Sequence, residues 1–316
     1  MMFERILVPL DGSPVAERAI PAVARIARAF GGSVIMLSVV APPVSSGKFS
    51  SLEAYPKAGT DEELAETTEY LKTLAQSEPL GGITTEVHGL VGGAAQTIIA
   101  AARSLHADLI MLCSHGYTGL QHWMLGSVAE KVIRHAPIPV FVLREGGPGL
   151  ATEGQHTVRA LVALDGSSLS EAMLEPAAQL SAGLAQATSQ PGALQLIRVV
   201  DIPSSYSRFK SQVDAYYDAQ VRAEAKHEYE QYLQTVTTRF AEGMLEKYHI
   251  AVTTFVATDP DVAAAIAQTA EQGQVDFIAM ATHGRGGIQH WALGSITERV
   301  LHATRMPLFI VRPQGA

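Results

Sequence analysis

Apolar runs of strand length recur along this chain, and the segments between them carry apolar residues at helical spacing. In the first half the runs are "RILVPL" (5–10), "SVIMLSVV" (33–40), "ITTEVHG" (83–89), "ADLIMLCS" (107–114) and "PVFVLR" (139–144). Gly, Pro or polar residues bound each one, and β-branched side chains fill them, which predicts five strands. Between the first two, Val15, Ala16, Ala19, Ile20, Val23, Ala24 and Ala27 fall on one helical face. Ser13 with Pro14 opens that helix and Gly31-Gly32 closes it. Strands that are apolar throughout are buried on both faces, so the pattern predicts a parallel sheet with helices on either side. Right-handed crossovers then leave an open, doubly wound α/β sheet as the natural topology.

The second half repeats the scheme with "VRALVAL" (158–164), "ALQLIRVV" (193–200), "IAVTTFVA" (250–257), "VDFIAMAT" (275–282) and "PLFIVR" (307–312). "ILVPLDGS" (6–13) pairs with "LVALDGS" (161–167), and "GSVAEKVIRHAPIPVFVLR" (126–144) with "GSITERVLHATRMPLFIVR" (294–312). The chain is therefore a duplication: a first domain over 1–145, a Gly-rich linker over 146–157 and a second domain over 158–316. The repeated aspartates lie 154 residues apart and the glycines of the later motif 168, so the second half carries 14 extra residues. These lengthen a helical segment running from about Asp214 to Tyr248. Its first-half counterpart begins near Asp61, after an irregular stretch over 42–59 that is either a lid over a site or a plain surface loop.

Composition narrows the function classes. With 316 residues, 47% hydrophobic and 17% charged, each half can bury its own core. A net charge of -8 argues against nucleic acid or an anionic membrane as a general partner. No apolar run reaches membrane-spanning length, and Glu4 and Arg5 sit where a signal peptide would be apolar, so a cytoplasmic location is expected. Cys113 is the single cysteine, which rules out a disulfide within the chain.

The chemistry concentrates in one motif written twice, "SHGYTGLQHWMLGS" (114–127) and "THGRGGIQHWALGS" (282–295). Ligands of an open parallel sheet bind beyond the carboxyl ends of its strands. Asp11 and Asp165, just past the first strand of each half, belong there, as do the loops from Cys113 or Ala281 to Gly126-Ser127 or Gly294-Ser295. Ser127 with Glu130, and Ser295 with Glu298, fit a capping box, so a helix starts at each. A helix start offers N–H donors to an anion, and Gly116 and Gly284 place a second pliant backbone point nearby. The plainer alternative is that the serines only cap, the glycines only turn and Asp-Gly-Ser is only a turn. His115 and His122, like His283 and His290, are seven apart, but "GYTG" and "GRGG" interrupt any helix between them. With Ala281 standing opposite Cys113, no metal site is expected. His115 and His283 are assigned to the phosphate loop, and Trp123 and Trp291 to anchoring it. No G-x-x-x-x-G-K-[ST] motif is present, nor G-x-G-x-x-G after an early strand, which weakens GTPase-like and dehydrogenase readings.

Together, "VPLDGS", "SHG", nine further residues and "GSVAEKVIRHAPIPVFVLR" resemble the universal stress protein family, and the second half resembles it as closely. The resemblance implies two tandem five-stranded sheets in the order 3-2-1-4-5, a Rossmann-like, adenine nucleotide alpha hydrolase-like fold. It also implies that ATP or a related adenine nucleotide, with or without Mg2+, binds in one or both halves. Its G-x-x-G, nine residues, G-[ST] pattern is met by Gly116, Gly126 and Ser127, and by Gly284, Gly294 and Ser295, whereas Cys113 and Ala281 replace its first glycine. By this resemblance Pro9, Leu10, Asp11 and Val39 would meet adenine and ribose in the first half, and Ala163, Leu164, Asp165 and Val199 in the second. Phosphates would meet Cys113, His115, Gly116, Gly126, Ser127 and Val128, or Ala281, His283, Gly284, Gly294, Ser295 and Ile296. The last strands of the halves, 139–143 and 307–312, are expected to pair as an internal pseudo-dimer, with further homodimerisation open. Three functions follow: a nucleotide-binding regulatory module, a scaffold with a degenerate motif, and a weak ATPase. The first is the expectation, and no catalytic residue is assigned.

Overall fold

The computed structural model describes residues 3–42, 57–114, 125–150, 157–186, 190–201, 212–240, 243, 246–282 and 293–312. Two compact units meet in the chain between Glu145 and Gly146. The first contains β1 (Arg5–Pro9), α1 (Pro14–Glu17), α2 (Ala19–Phe30), β2 (Ser33–Val40), α3 (Lys57–Ala75), β3 (Thr85–Val91), α4 (Ala94–Ser104), β4 (Leu109–Ser114), α5 (Ser127–His135) and β5 (Val140–Arg144). Its strands are parallel and ordered β3-β2-β1-β4-β5, the order expected from the pattern.

The second unit contains β6 (Arg159–Ala163), α6 (Ser168–Glu171), α7 (Leu174–Ala185), β7 (Ala193–Val200), α8 (Gln212–Phe240), α9 (Glu246–Tyr248), β8 (Ala251–Thr258), α10 (Val262–Gln272), β9 (Phe277–Ala281), α11 (Ser295–Ala303) and β10 (Leu308–Val311). Its parallel order, β8-β7-β6-β9-β10, is the same topology.

The central strands are apolar because both of their faces are covered. Ile6, Leu7 and Val8 of β1 are fully buried, as are Ala160, Leu161 and Val162 of β6. Against the sheet α2 buries Ala19, Ile20, Val23, Ala24, Ile26 and Ala27, which includes most of the periodic face. An aspartate fixes the amino end of each sheet, half-buried in the first and buried in the second. Asp108 accepts the N–H groups of Glu4 at 2.7 Å and Arg5 at 3.2 Å, and Asp276 accepts that of Arg159 at 2.8 Å.

Two sequence expectations are revised. The helix after Ser13 is two pieces, α1 and α2, because Pro21 has no N–H to give to the carbonyl of Glu17. The second unit breaks its first helix in the same way, just before Pro176. Strand β3 starts and ends two residues later than its apolar run, because pairing with β2 starts at Val34–Thr85 and continues to Val40–Val91. The long segment of the second half is helical over Gln212–Phe240 and again over Glu246–Tyr248, which agrees with the expected span.

Each unit enters its second strand through a glycine pressed against backbone. A β-carbon on Gly32 would lie 2.6 Å from the carbonyl oxygen of Phe3, and one on Gly192 would lie 2.9 Å from that of Ser181. Neither obstacle is a pliable side chain. Gly32→Ala and Gly192→Ala should each destabilise the protein by roughly 1–3 kcal/mol, seen as a lower urea midpoint. An unchanged midpoint in both would show that the turn yields freely.

Candidate functional site

Strand β1 lies between β2 and β4, and the chain leaves these strands toward opposite faces of the sheet, which opens a crevice at their carboxyl ends. In the first unit a cavity of about 380 Å³ occupies this place. Pro9, Leu10 and Asp11 line it from the end of β1, Leu37 and Val39 from β2, Leu112 and Cys113 from β4, and Gly126, Ser127, Val128 and Ala129 from the start of α5. Ala16 and two residues of α4, Ala94 and Ile98, complete the wall. Leu37 and Val39 share one face of β2 because side chains alternate along a strand.

The acidic corner is a turn with defined bonds. Gly12 has φ 77° and Gly166 φ 88°, a left-handed conformation that glycine adopts without penalty. This lets Asp11 accept the N–H of Ser13 at 3.0 Å, while the Ser13 hydroxyl caps α1 by accepting from Ala16 at 3.1 Å. Asp165 accepts the N–H of Ser167 at 2.9 Å, and the Ser167 hydroxyl caps α6 through Ser170 at 3.1 Å. The turn chemistry of Asp-Gly-Ser is therefore present in both units, and Asp11 in addition borders the cavity.

The anion-facing corner differs from the capping-box expectation. Helices start where the motif puts them, but Gly126 and Gly294 are the N-caps, and Ser127 and Ser295 are the first helical residues. No side chain caps either helix. Glu130, the expected reciprocal partner, instead accepts from Arg134 one turn on, at 2.9 Å. With glycine at the cap, the first N–H groups of α5 are left to face whatever occupies the crevice.

Among the sequence-derived candidates, Pro9, Leu10, Asp11, Val39, Cys113, Gly126, Ser127 and Val128 therefore meet around one cavity. Their second-unit counterparts occupy the matching strand ends and helix start: Ala163, Leu164 and Asp165 at β6, Val199 in β7, Ala281 in β9, and Gly294, Ser295 and Ile296 at α11. His115, Gly116, His283 and Gly284 lie outside the described residues, as do His122, His290, Trp123 and Trp291. Among the described residues, no group of three His, Cys, Asp or Glu side chains is arranged to hold a metal, and no helix is long and apolar enough to cross a membrane.

Several contributors were not found from the sequence. Ala94 and Ile98 are one helical turn apart on α4, a spacing that would have placed them together. A second omission is a tyrosine–glutamate contact present in both units. Tyr70 of α3 donates to Glu17 of α1 at 2.8 Å, and Tyr232 of α8 donates to Glu171 of α6 at 2.9 Å. Burial raises both phenol pKa values, and the accepting carboxylates raise them further. In the second unit the guanidinium of the buried Arg198 stacks on Tyr229 and Tyr232, 3.6 and 4.4 Å from the ring centres.

Two parallel α/β units, each with a helix N-terminus and an aspartate at its switch point, define a tandem of doubly wound α/β domains. The family model described as "Universal stress protein family" matches residues 2–144 and again 158–312, so the chain belongs to that family, as a tandem of two domains. A universal stress protein of Methanocaldococcus jannaschii is 32% identical over 149 residues, covering 46% of this chain and 84% of that protein. The crystal structure of a universal stress protein from Archaeoglobus fulgidus aligns with a TM-score of 0.65 at 21% identity, covering 99% of both chains. A functionally unknown protein from Pseudomonas aeruginosa aligns with a TM-score of 0.61 at 17% identity, covering 98% of this chain and 92% of that one. These two structures share the fold.

Cys113 gives the cavity a reporter. Burial pushes its thiol pKa up to about 11, against a partial offset from Arg18. An unfolded cysteine titrates near 8.5, so at pH 8 the folded protein holds roughly a few thousandths of the thiolate of the unfolded chain. Labelling by a disulfide reagent at pH 8 should be at least about a hundredfold slower in the native protein than in denaturant. It should keep rising with pH after an ordinary thiol has levelled off. Equal native and denatured rates would mean the thiol is not held in this wall.

Proposed function

We propose that the first domain holds an adenine nucleotide, ATP being the form expected, and that the chain serves the stress response as a nucleotide-dependent regulatory module. The observation that carries this reading is the cavity itself, which brings Asp11 and the glycine-capped start of α5 to one space with an apolar floor. Those features match the three parts of such a ligand. A purine would lie against Leu37, Val39 and Ile98, burying a ring that is flat and weakly polar. The Asp11 carboxylate would accept from a ribose hydroxyl or the exocyclic amine, and its charge makes that bond stronger than a neutral one. The phosphates would receive the first N–H groups of α5 and the positive end of its dipole.

Among the described residues lining the cavity Asp11 is the only carboxylate, and it is bonded to the turn through Ser13. The site thus offers an anchor rather than a base for activating water, which favours binding over hydrolysis. Mg2+, where it accompanies ATP, would be held by the phosphates themselves.

Titration of the full chain with a fluorescent ATP analogue should give saturable binding that unlabelled ATP reverses. Asp11→Ala should weaken it about tenfold or more, the loss expected for a hydrogen bond to a charged group. Ser127→Asp, which sets a negative charge at the start of α5, should weaken it by a similar factor and more strongly for ATP than for adenosine. No binding by the wild-type chain at millimolar ATP would return the domain to a scaffold role. Steady phosphate release that stops in Ser127→Asp would replace the binding module with a weak ATPase.

A further inference from the structure

The repeat aligns every residue around the first cavity with a residue of the second domain, and the two sets are not equivalent in size. We propose, on the reading just given, that the two sites are unequal: the first domain takes the nucleotide and the second is closed to it by its own side chains, chiefly Thr297. Three alanines of the first cavity are the basis. Ala129, Ala94 and Ala16 border the open space, and their counterparts are Thr297, Val262 and Ser170.

Thr297 does more than add bulk. Its hydroxyl donates to the carbonyl oxygen of Ala281 at 2.9 Å, and both residues are buried. The side chain therefore ties α11 to the carboxyl end of β9. In the first unit the matching interval, from α5 to the end of β4, is bordered by Ala129 and Cys113 and belongs to the cavity. An alanine methyl cannot make that tie, so the interval stays open.

Ser170 tightens the acidic corner in the same sense. Its hydroxyl donates to the carbonyl of Ser167 at 2.9 Å and accepts the N–H of Asp165 at 3.3 Å. Asp165 in turn accepts the Ser167 hydroxyl at 2.6 Å as well as the Ser167 N–H. Val262, at the first position of α10, adds two carbons where Ala94 starts α4. The opposite changes, Pro9 to Ala163 and Cys113 to Ala281, remove atoms only from the strand ends. They do not cancel a side chain bonded across the crevice.

The test is the stoichiometry of ATP on the full chain, by native mass spectrometry and calorimetry. One nucleotide per chain is expected. Ala94→Val and Ala129→Thr, made separately so that one folding failure leaves the other variant, should each weaken that single site at least tenfold. Thr297→Ala combined with Val262→Ala should leave the first site unchanged and raise the count to two. Two nucleotides on the wild-type chain would overturn the inequality while leaving the nucleotide reading intact. One nucleotide that survives Ala94→Val and Ala129→Thr in folded protein would overturn it too, as would a count still at one in the Thr297→Ala, Val262→Ala protein. No nucleotide at all would overturn the reading on which it rests.

Discussion

The position of one strand governs each half of this protein. β1 and β6 have a parallel neighbour on each side, and the chain cannot cover both of their flanks with the same helix. At the carboxyl end of that strand the backbone must turn out of the sheet into a gap. The Asp-Gly-Ser sequence is suited to that point: a left-handed glycine makes the turn, the aspartate braces it and the serine starts the next helix. The crevice, its acidic corner and its facing helix start are all consequences of this single topological requirement.

Much of this was legible in the residues. Strand β2 and its repeat β7 match their apolar runs to the residue, because strands buried over most of their length leave a largely apolar record. The site was legible for a different reason: duplication kept Asp-Gly-Ser and Gly-Ser in step where each alone is common turn chemistry. Other parts were not legible. The apolar spacing from Val15 to Ala27 reads as one helix, but Pro21 has no N–H for the carbonyl of Glu17, and α1 and α2 stand in its place. Ser127 and Glu130 fit a capping box by spacing, yet Arg134 takes the glutamate and glycine takes the cap. Local patterns cannot report such competition between partners, because the competitor lies outside the pattern.

The two domains also separate fold retention from site retention. Asp108 and Asp276 brace equivalent strand ends by accepting the N–H groups of Arg5 and Arg159, and Gly32 and Gly192 both sit against neighbouring backbone. Positions that keep the sheet in register have stayed alike between halves. The small residues that leave room beside Asp11 have not, and their replacements, Thr297 and Ser170, bond within their own domain. A hydroxyl that bonds within its own domain gains packing without stranding a polar group.

The tyrosine–glutamate contact has a mechanical consequence. Glu17 and Glu171 follow directly on the turns that carry Asp11 and Asp165, while Tyr70 and Tyr232 stand on the helices that cross between the second and third strands of each sheet. An oxygen-to-oxygen link thus connects a long outer helix to the acidic turn, in addition to the packing of that helix on the sheet. The bond fixes the distance between the outer helix and the short helix that leaves the turn, so neither can move past the other without breaking it.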